Sequence, residues 1–114
     1  MPYLRKYCGP NLLEINGNQI RDYCGPIRYE LSGNYFREYC GPIRYEINGN
    51  QIRRYCGPII LEYDGRYLRR YCGPIIAEID ERYVRDYCGP IRYEFSGFMT
   101  RAQIMAIIIL LYAI

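Results

Sequence analysis

Tyr39 to Arg54 reads YCGPIRYEINGNQIRR, and copies or half-copies of it recur every sixteen residues up to Gly97. The tetrapeptide Tyr-Cys-Gly-Pro begins at Tyr7, Tyr23, Tyr39, Tyr55, Tyr71 and Tyr87. So short a period means one supersecondary unit repeated, and the fold question becomes how the units close on one another. Within the central copy, Ile43-Arg44-Tyr45-Glu46-Ile47 and Gln51-Ile52-Arg53-Arg54-Tyr55 are strand-like runs flanking Asn48-Gly49-Asn50. Apolar and charged residues alternate in the first run, and Asn-Gly tolerates the positive φ of a hairpin turn, so each unit reads as an antiparallel hairpin.

Charge selects the register. With Gly49-Asn50 at the tip, Ile47 faces Ile52 and Glu46 faces Arg53; with Asn48-Gly49 there, Arg44 faces Arg53, an unfavourable like-charge pair. The first register recurs as Glu14/Arg21, Glu30/Arg37, Glu62/Arg69 and Glu78/Arg85. Proline cannot donate to a sheet ladder, so Cys-Gly-Pro is the link between hairpins. Taking Gly57-Pro58 as the tip of that link also sets Arg53 opposite Glu62. The expectation is a structural charge belt of Arg5, Glu14, Arg21, Glu30, Arg37, Glu46, Arg53, Glu62, Arg69, Glu78, Arg85 and Glu94, alternating at one height. These registers add up to no net stagger, so an untilted or funnel-shaped ring is expected.

The ends of the repeat are complementary. Tyr3-Leu4-Arg5-Lys6-Tyr7 is a second strand without a first, and Ile91-Arg92-Tyr93-Glu94-Phe95 is a first strand without a second. Pairing them sets Glu94 opposite Arg5 and Phe95 opposite Leu4. The predicted fold is mainly β, a closed ring of six hairpins and twelve short strands over residues 1–97, without the free edges that invite aggregation. An open solenoid would stack Glu on Glu and Arg on Arg about 4.8 Å apart, and it is the alternative.

Residues 98–114 leave the repeat, and from Ile104 onward the chain has no polar face. An all-round apolar helix must be buried in protein or lipid. Ala102 to Ile114 is shorter than the ~20 residues of a membrane span. Twelve untilted strands enclose a radius of roughly 9 Å, about the spacing of packed layers, so the tail is placed in the lumen as a helical plug. Ile15/Ile20, Leu31/Phe36, Ile47/Ile52, Tyr63/Leu68, Ile79/Val84 and Leu4/Phe95 then face inward. Simple alternation also turns Lys6, Asp22, Glu38, Arg54, Arg70 and Asp86 inward, which calls for a bulge or a flared rim.

The unit resembles the β-flower repeat proteins, through Tyr39, Gly41, Pro42, Ile43, Tyr45, Ile47, Asn48, Gly49, Ile52 and their equivalents. The resemblance covers Tyr3 to Gly97 and implies hairpins around a pseudo-rotational axis. It carries no catalytic residue set, and the cysteine in every linker departs from it.

There is no histidine, and 15 basic against 12 acidic residues are interleaved without a basic run. The usual general base is therefore missing, each Glu lies beside Arg, and nucleic acid is not the expected partner. Cys8, Cys24, Cys40, Cys56, Cys72 and Cys88 fall two strands apart, beyond disulfide reach and too spread for one metal ion, so six free thiols are expected. Together with a start that lacks a secretory core, this makes a reducing, cytoplasmic compartment the expectation. No catalytic, cofactor or metal site is expected. The functional expectation is a non-enzymatic structural or protein-interaction module, one form of which is an accessory subunit of a larger complex. Its partner is another protein or itself, met through Tyr7, Tyr23, Tyr39, Tyr55, Tyr71 and Tyr87, since Tyr and Arg are enriched at hot spots. The alternatives are a membrane-associated protein anchored through Ile104 to Ile114 and a filament-forming solenoid.

Overall fold

A computed structural model describes residues 2–80 and 82–113, so the plug prediction for Ile114 lies outside the described residues. The strands are β1 (Tyr3–Lys6), β2 (Asn11–Asn16), β3 (Gln19–Asp22), β4 (Ile27–Ser32), β5 (Tyr35–Glu38), β6 (Ile43–Asn48), β7 (Gln51–Arg54), β8 (Ile59–Tyr63), β9 (Tyr67–Arg70), β10 (Ile75–Ile79), β11 (Tyr83–Asp86) and β12 (Ile91–Ser96). Each pairs antiparallel with its chain neighbours and β1 pairs with β12, so the sheet is a closed barrel. Leu4 faces Phe95 and Arg5 faces Glu94 at the closure, as the complementary half-units require.

Inside each hairpin the charge-selected register holds: Glu14 faces Arg21, Glu30 faces Arg37, Glu46 faces Arg53, Glu62 faces Arg69 and Glu78 faces Arg85. The tips at Gly17, Gly33 and Gly49 have φ of 59 to 62°, which suits a turn with glycine at its first central residue. Two other tips carry an aspartate, Asp64 and Asp80, in place of the Asn or Ser. Asp64 Oδ1 accepts from the backbone N–H groups of Arg66 and Tyr67, and Asp80 Oδ1 from those of Arg82 and Tyr83. These bonds, the one from Tyr67 foremost, hold the Asp64 carboxyl below its ordinary pKa.

Between hairpins the sequence expectation fails. Glu62 lies opposite Gln51 rather than Arg53, and Arg53 lies opposite Ile59, with a register break between Ile52 and Arg53. The same offset recurs at the other linkers. The cause is the position of the turn. Gly57 N–H donates to Arg54 O at 2.8 Å and Arg54 N–H to Pro58 O at 3.2 Å, so the tip is Tyr55-Cys56 rather than Gly57-Pro58. Moving the tip towards β7 shifts the register, and one extra residue on the following strand, such as Arg28 or Ile60, forms the bulge that brings the shift to two residues.

Two residues at each of six linkers give a stagger equal to the strand number, the ratio that tilts eight-stranded parallel barrels by about 36°. The ring is therefore tilted, not untilted. Tilt also widens the ring beyond the ~9 Å of parallel packing. The added width admits a second inward layer of Leu13, Tyr29, Tyr45, Leu61, Ala77 and Tyr93, all buried or packed on the core.

The tail fills the lumen. α1 (Arg101–Ile108) continues as a π-helical segment over Ile109–Ala113, and Gln103 through Ile109 are buried. Thr100 starts the helix with a reciprocal cap: Gln103 N–H donates to Thr100 Oγ1, and Thr100 N–H to Gln103 Oε1. Gln103 Nε2 also donates to Gly17 O, and Arg101 bonds Asn50 and Tyr63 O, so the helix enters at the hairpin-turn rim. Its far end reaches the linker rim, where Tyr45 Oη donates to Ala113 O at 3.2 Å. The inward residues of the strands are buried as expected, except Ile47, which is half-buried.

In a closed barrel the terminal strand is held as firmly as a central one. Leu4→Ala should cost about 2–5 kcal/mol in chemical denaturation, as much as Ile52→Ala. A change well below that would mean that β1 frays and the ring is open. Because the Asp64 carboxyl is held low, its stabilisation is present above the ordinary carboxylate range and is lost as pH falls through the folded pKa. The melting-temperature gap between the native chain and Asp64→Ala should therefore shrink below about pH 4.

Candidate interaction surface

The six linkers crown one end of the barrel. In each, the cysteine occupies the left-handed region, at φ of 54 to 56°, where glycine or asparagine is the usual residue. The glycine that follows is needed for a different reason. A Cβ on Gly57 would stand 3.0 Å from Arg54 Cβ, and at Gly89 the corresponding approach is 2.9 Å. Crowding therefore claims the glycine, and the positive φ falls to cysteine. All six cysteines are free and exposed, as the linker spacing predicts.

The belt arginines hold these turns. Arg5, Arg21, Arg37, Arg53 and Arg85 each donate to the carbonyl of the linker glycine four residues on, at 2.8 to 3.4 Å. Their cross-strand carboxylates are less engaged. Among the described residues, Arg5–Glu94 at 3.4 Å is the within-hairpin belt pair that closes to ion-pair distance, while Glu78 meets Arg66 at 3.7 Å. The expected alternation of Glu and Arg all round the barrel does not occur, because the linker offset sets each Glu against Tyr3, Gln19, Tyr35, Gln51, Tyr67 or Tyr83 of the preceding strand.

A second set of charges lies at the linker rim. Asp22 pairs with Arg28 at 3.2 Å, Glu38 with Arg44 at 3.2 Å, and Asp86 with Arg92 at 2.9 Å. The equivalent positions Lys6, Arg54 and Arg70 are basic, and six residues after each stands Leu12, Ile60 or Ile76 instead of arginine. The sequence therefore records the pairing at spacing six: an acid is followed by Arg, a base by an apolar residue. The repeat alignment held that signal, but a simple strand alternation hid it, because the bulge brings these two side chains together. Exposed pairs of this kind contribute about 0–1 kcal/mol each, so they set local neutrality more than stability.

The linker tyrosines Tyr7, Tyr23, Tyr39, Tyr55, Tyr71 and Tyr87 lie on the outer wall, 44 to 47 % exposed. Four are met edge-on by a tyrosine of a neighbouring unit: Tyr23 by Tyr3, Tyr55 by Tyr35, Tyr87 by Tyr67, and Tyr7 by Tyr83 across the closure, at 5.7 to 6.1 Å between ring centres. Where the partner position is Gln19 or Gln51, Tyr39 and Tyr71 have no such neighbour. The charge of the adjacent Cys8, Cys56 and Cys88 side chains is the main cause that raises the pKa of Tyr7, Tyr55 and Tyr87. Among the described residues, no three His, Cys, Asp or Glu side chains are grouped to hold a metal ion.

The geometry defines a class, a closed barrel of sixteen-residue hairpin repeats plugged by its own C-terminal helix. In comparisons with protein-family models, curated proteins and solved structures, the chain matches none of them.

If cysteine is held in the left-handed region at a conformational cost, Cys56→Gly should raise unfolding free energy by about 0.5–1 kcal/mol, the relief outweighing glycine's greater chain entropy. An unchanged or lowered stability would show that the Cys56 side chain contributes contacts that offset the strain.

Proposed function

We propose that this protein is a non-enzymatic structural and protein-interaction module of β-flower type, whose ring serves to display its outer wall and linker rim. The observation that supports this is the filled lumen: Ile104, Met105, Ala106, Ile107, Ile108 and Ile109 bury themselves where a ligand-binding barrel would keep a cavity. The belt arginines, which in an enzyme would be free to hold an anionic substrate, are mostly engaged with turn carbonyls. The repeated exposed tyrosines, two of them without an edge-on neighbour, are the side chains best suited to a protein partner. The aromatic-Gly-Pro linker, the sixteen-residue period and the closure by half-units support the β-flower assignment.

The competing use of the tail is insertion into lipid, favoured by the half-buried Leu110 and Leu111 at the linker mouth. No helix among the described residues is long and apolar enough to cross a membrane. Deleting Met99 to Ile114 tests the two. A plug contributes several large buried side chains at ~1.5–3 kcal/mol each, so its loss should abolish cooperative unfolding and soluble expression. A truncated ring that stays folded and becomes more soluble would transfer the tail to a membrane.

A further inference from the structure

We infer that the linker face is a docking surface for a second copy of this chain, laid face to face about a two-fold axis in the plane of the ring. The inference deepens the reading of the protein as an interaction module and rests on it. Taken in order around the mouth, the last residues of the second strands are Lys6, Asp22, Glu38, Arg54, Arg70 and Asp86. Turning a second ring over reverses this order. One alignment then sets Lys6 against Asp86 of the second copy, Asp22 against Arg70, and Glu38 against Arg54, with each relation repeated by the two-fold axis.

Local charge pairing gives the alignment its physical content. Asp22, Glu38 and Asp86 each have one arginine partner, and their side chains are still 39 to 43 % exposed. Among the described residues, Lys6, Arg54 and Arg70 have no carboxylate within ion-pair distance. With Arg28, Arg44 and Arg92 counted, the rim carries three more positive than negative charges among the described residues, but in this alignment Lys6, Arg54 and Arg70 each gain a half-exposed carboxylate of the second copy at short range. At the centre, Leu110, Leu111, Tyr112 and Ala113 are only partly buried, and burial already raises the Tyr112 phenol's pKa. A second tail tip would cover them. The molecule measures 38 × 34 × 20 Å, so its broad face spans about 1,000 Å², against the ~800 Å² per partner of a stable interface. Another ring of the same repeat presents the same spacing of six turns.

The thiols report the arrangement. In this alignment Cys8 lies over Cys88 of the second copy, Cys24 over Cys72, and Cys40 over Cys56. Native mass measured in reductant over a range of concentrations should approach twice 13.6 kDa, and a short bis-maleimide should join those three pairs on peptide mapping. Glu38→Arg alone, or Arg54→Glu alone, should weaken the dimer about tenfold, and the two together in one chain should restore it. A monomer at every concentration, bridges between other cysteine pairs, or a double variant no better than the singles would overturn the inference. Should the ring stay monomeric and still unfold when its tail is removed, the dimer falls while the reading as a structural module stands.

Discussion

The left-handed turn at each cysteine is the constraint on which the rest of the structure depends. The chain reverses at Tyr-Cys, two residues before Gly-Pro, with cysteine taking the positive φ and the next residue kept as glycine because a Cβ there would crowd the residue three positions earlier. That early reversal displaces each hairpin by two residues against the next. The displacement tilts the strands, widens the lumen enough for a second inward layer, and leaves one bulged residue in every unit. Arg5, Arg21, Arg37, Arg53 and Arg85, each four residues before a linker glycine, then find that glycine's carbonyl as their partner.

The barrel is regular outside and irregular within. On the outer wall the repeat is close to sixfold, with tyrosine clasps in four units and arginine staples in five. On the lumen side the second layer runs Leu13, Tyr29, Tyr45, Leu61, Ala77 and Tyr93, from the smallest to the largest apolar side chains. A single helix has no sixfold symmetry, so a wall of six identical residues would leave gaps that cost stability. Tyr29 stacked on Phe36, with Tyr45 edge-on to the same ring, fills the broad side of that mismatch. Tyr63, buried so that its pKa rises to about 12, shares its hydroxyl proton between Gly65 O and Ile79 O and ties two turns together.

Charge performs two separate tasks. Within a hairpin, Glu opposite Arg fixes register, because the rival register would oppose arginines. At the rim, acids pair with the bulged arginine and bases stand beside bulged apolar residues, which leaves the unpaired charge on one face. The net charge of +3 is the same size as the Lys6, Arg54 and Arg70 excess there. An uneven distribution of that kind matters for association more than for folding.

The sequence by itself determined the hairpin, its register, the ring closed by Leu4 against Phe95, and the apolar plug. Each of these follows from local turn chemistry, from pairing of like and unlike charges, or from an apolar segment with nowhere else to go. Only the tertiary structure decided the stagger, the Tyr-Cys tip, the inward layer from Leu13 to Tyr93 and the pairing of Asp22, Glu38 and Asp86 with the bulged arginines. The physical reason is that a Cys-Gly-Pro link can reverse at either of two places. The reversal at Tyr-Cys needs a residue without a Cβ three positions after Arg54, a requirement that Gly57 meets and that no residue pattern displays, and a two-residue error at one turn moves every relation across it.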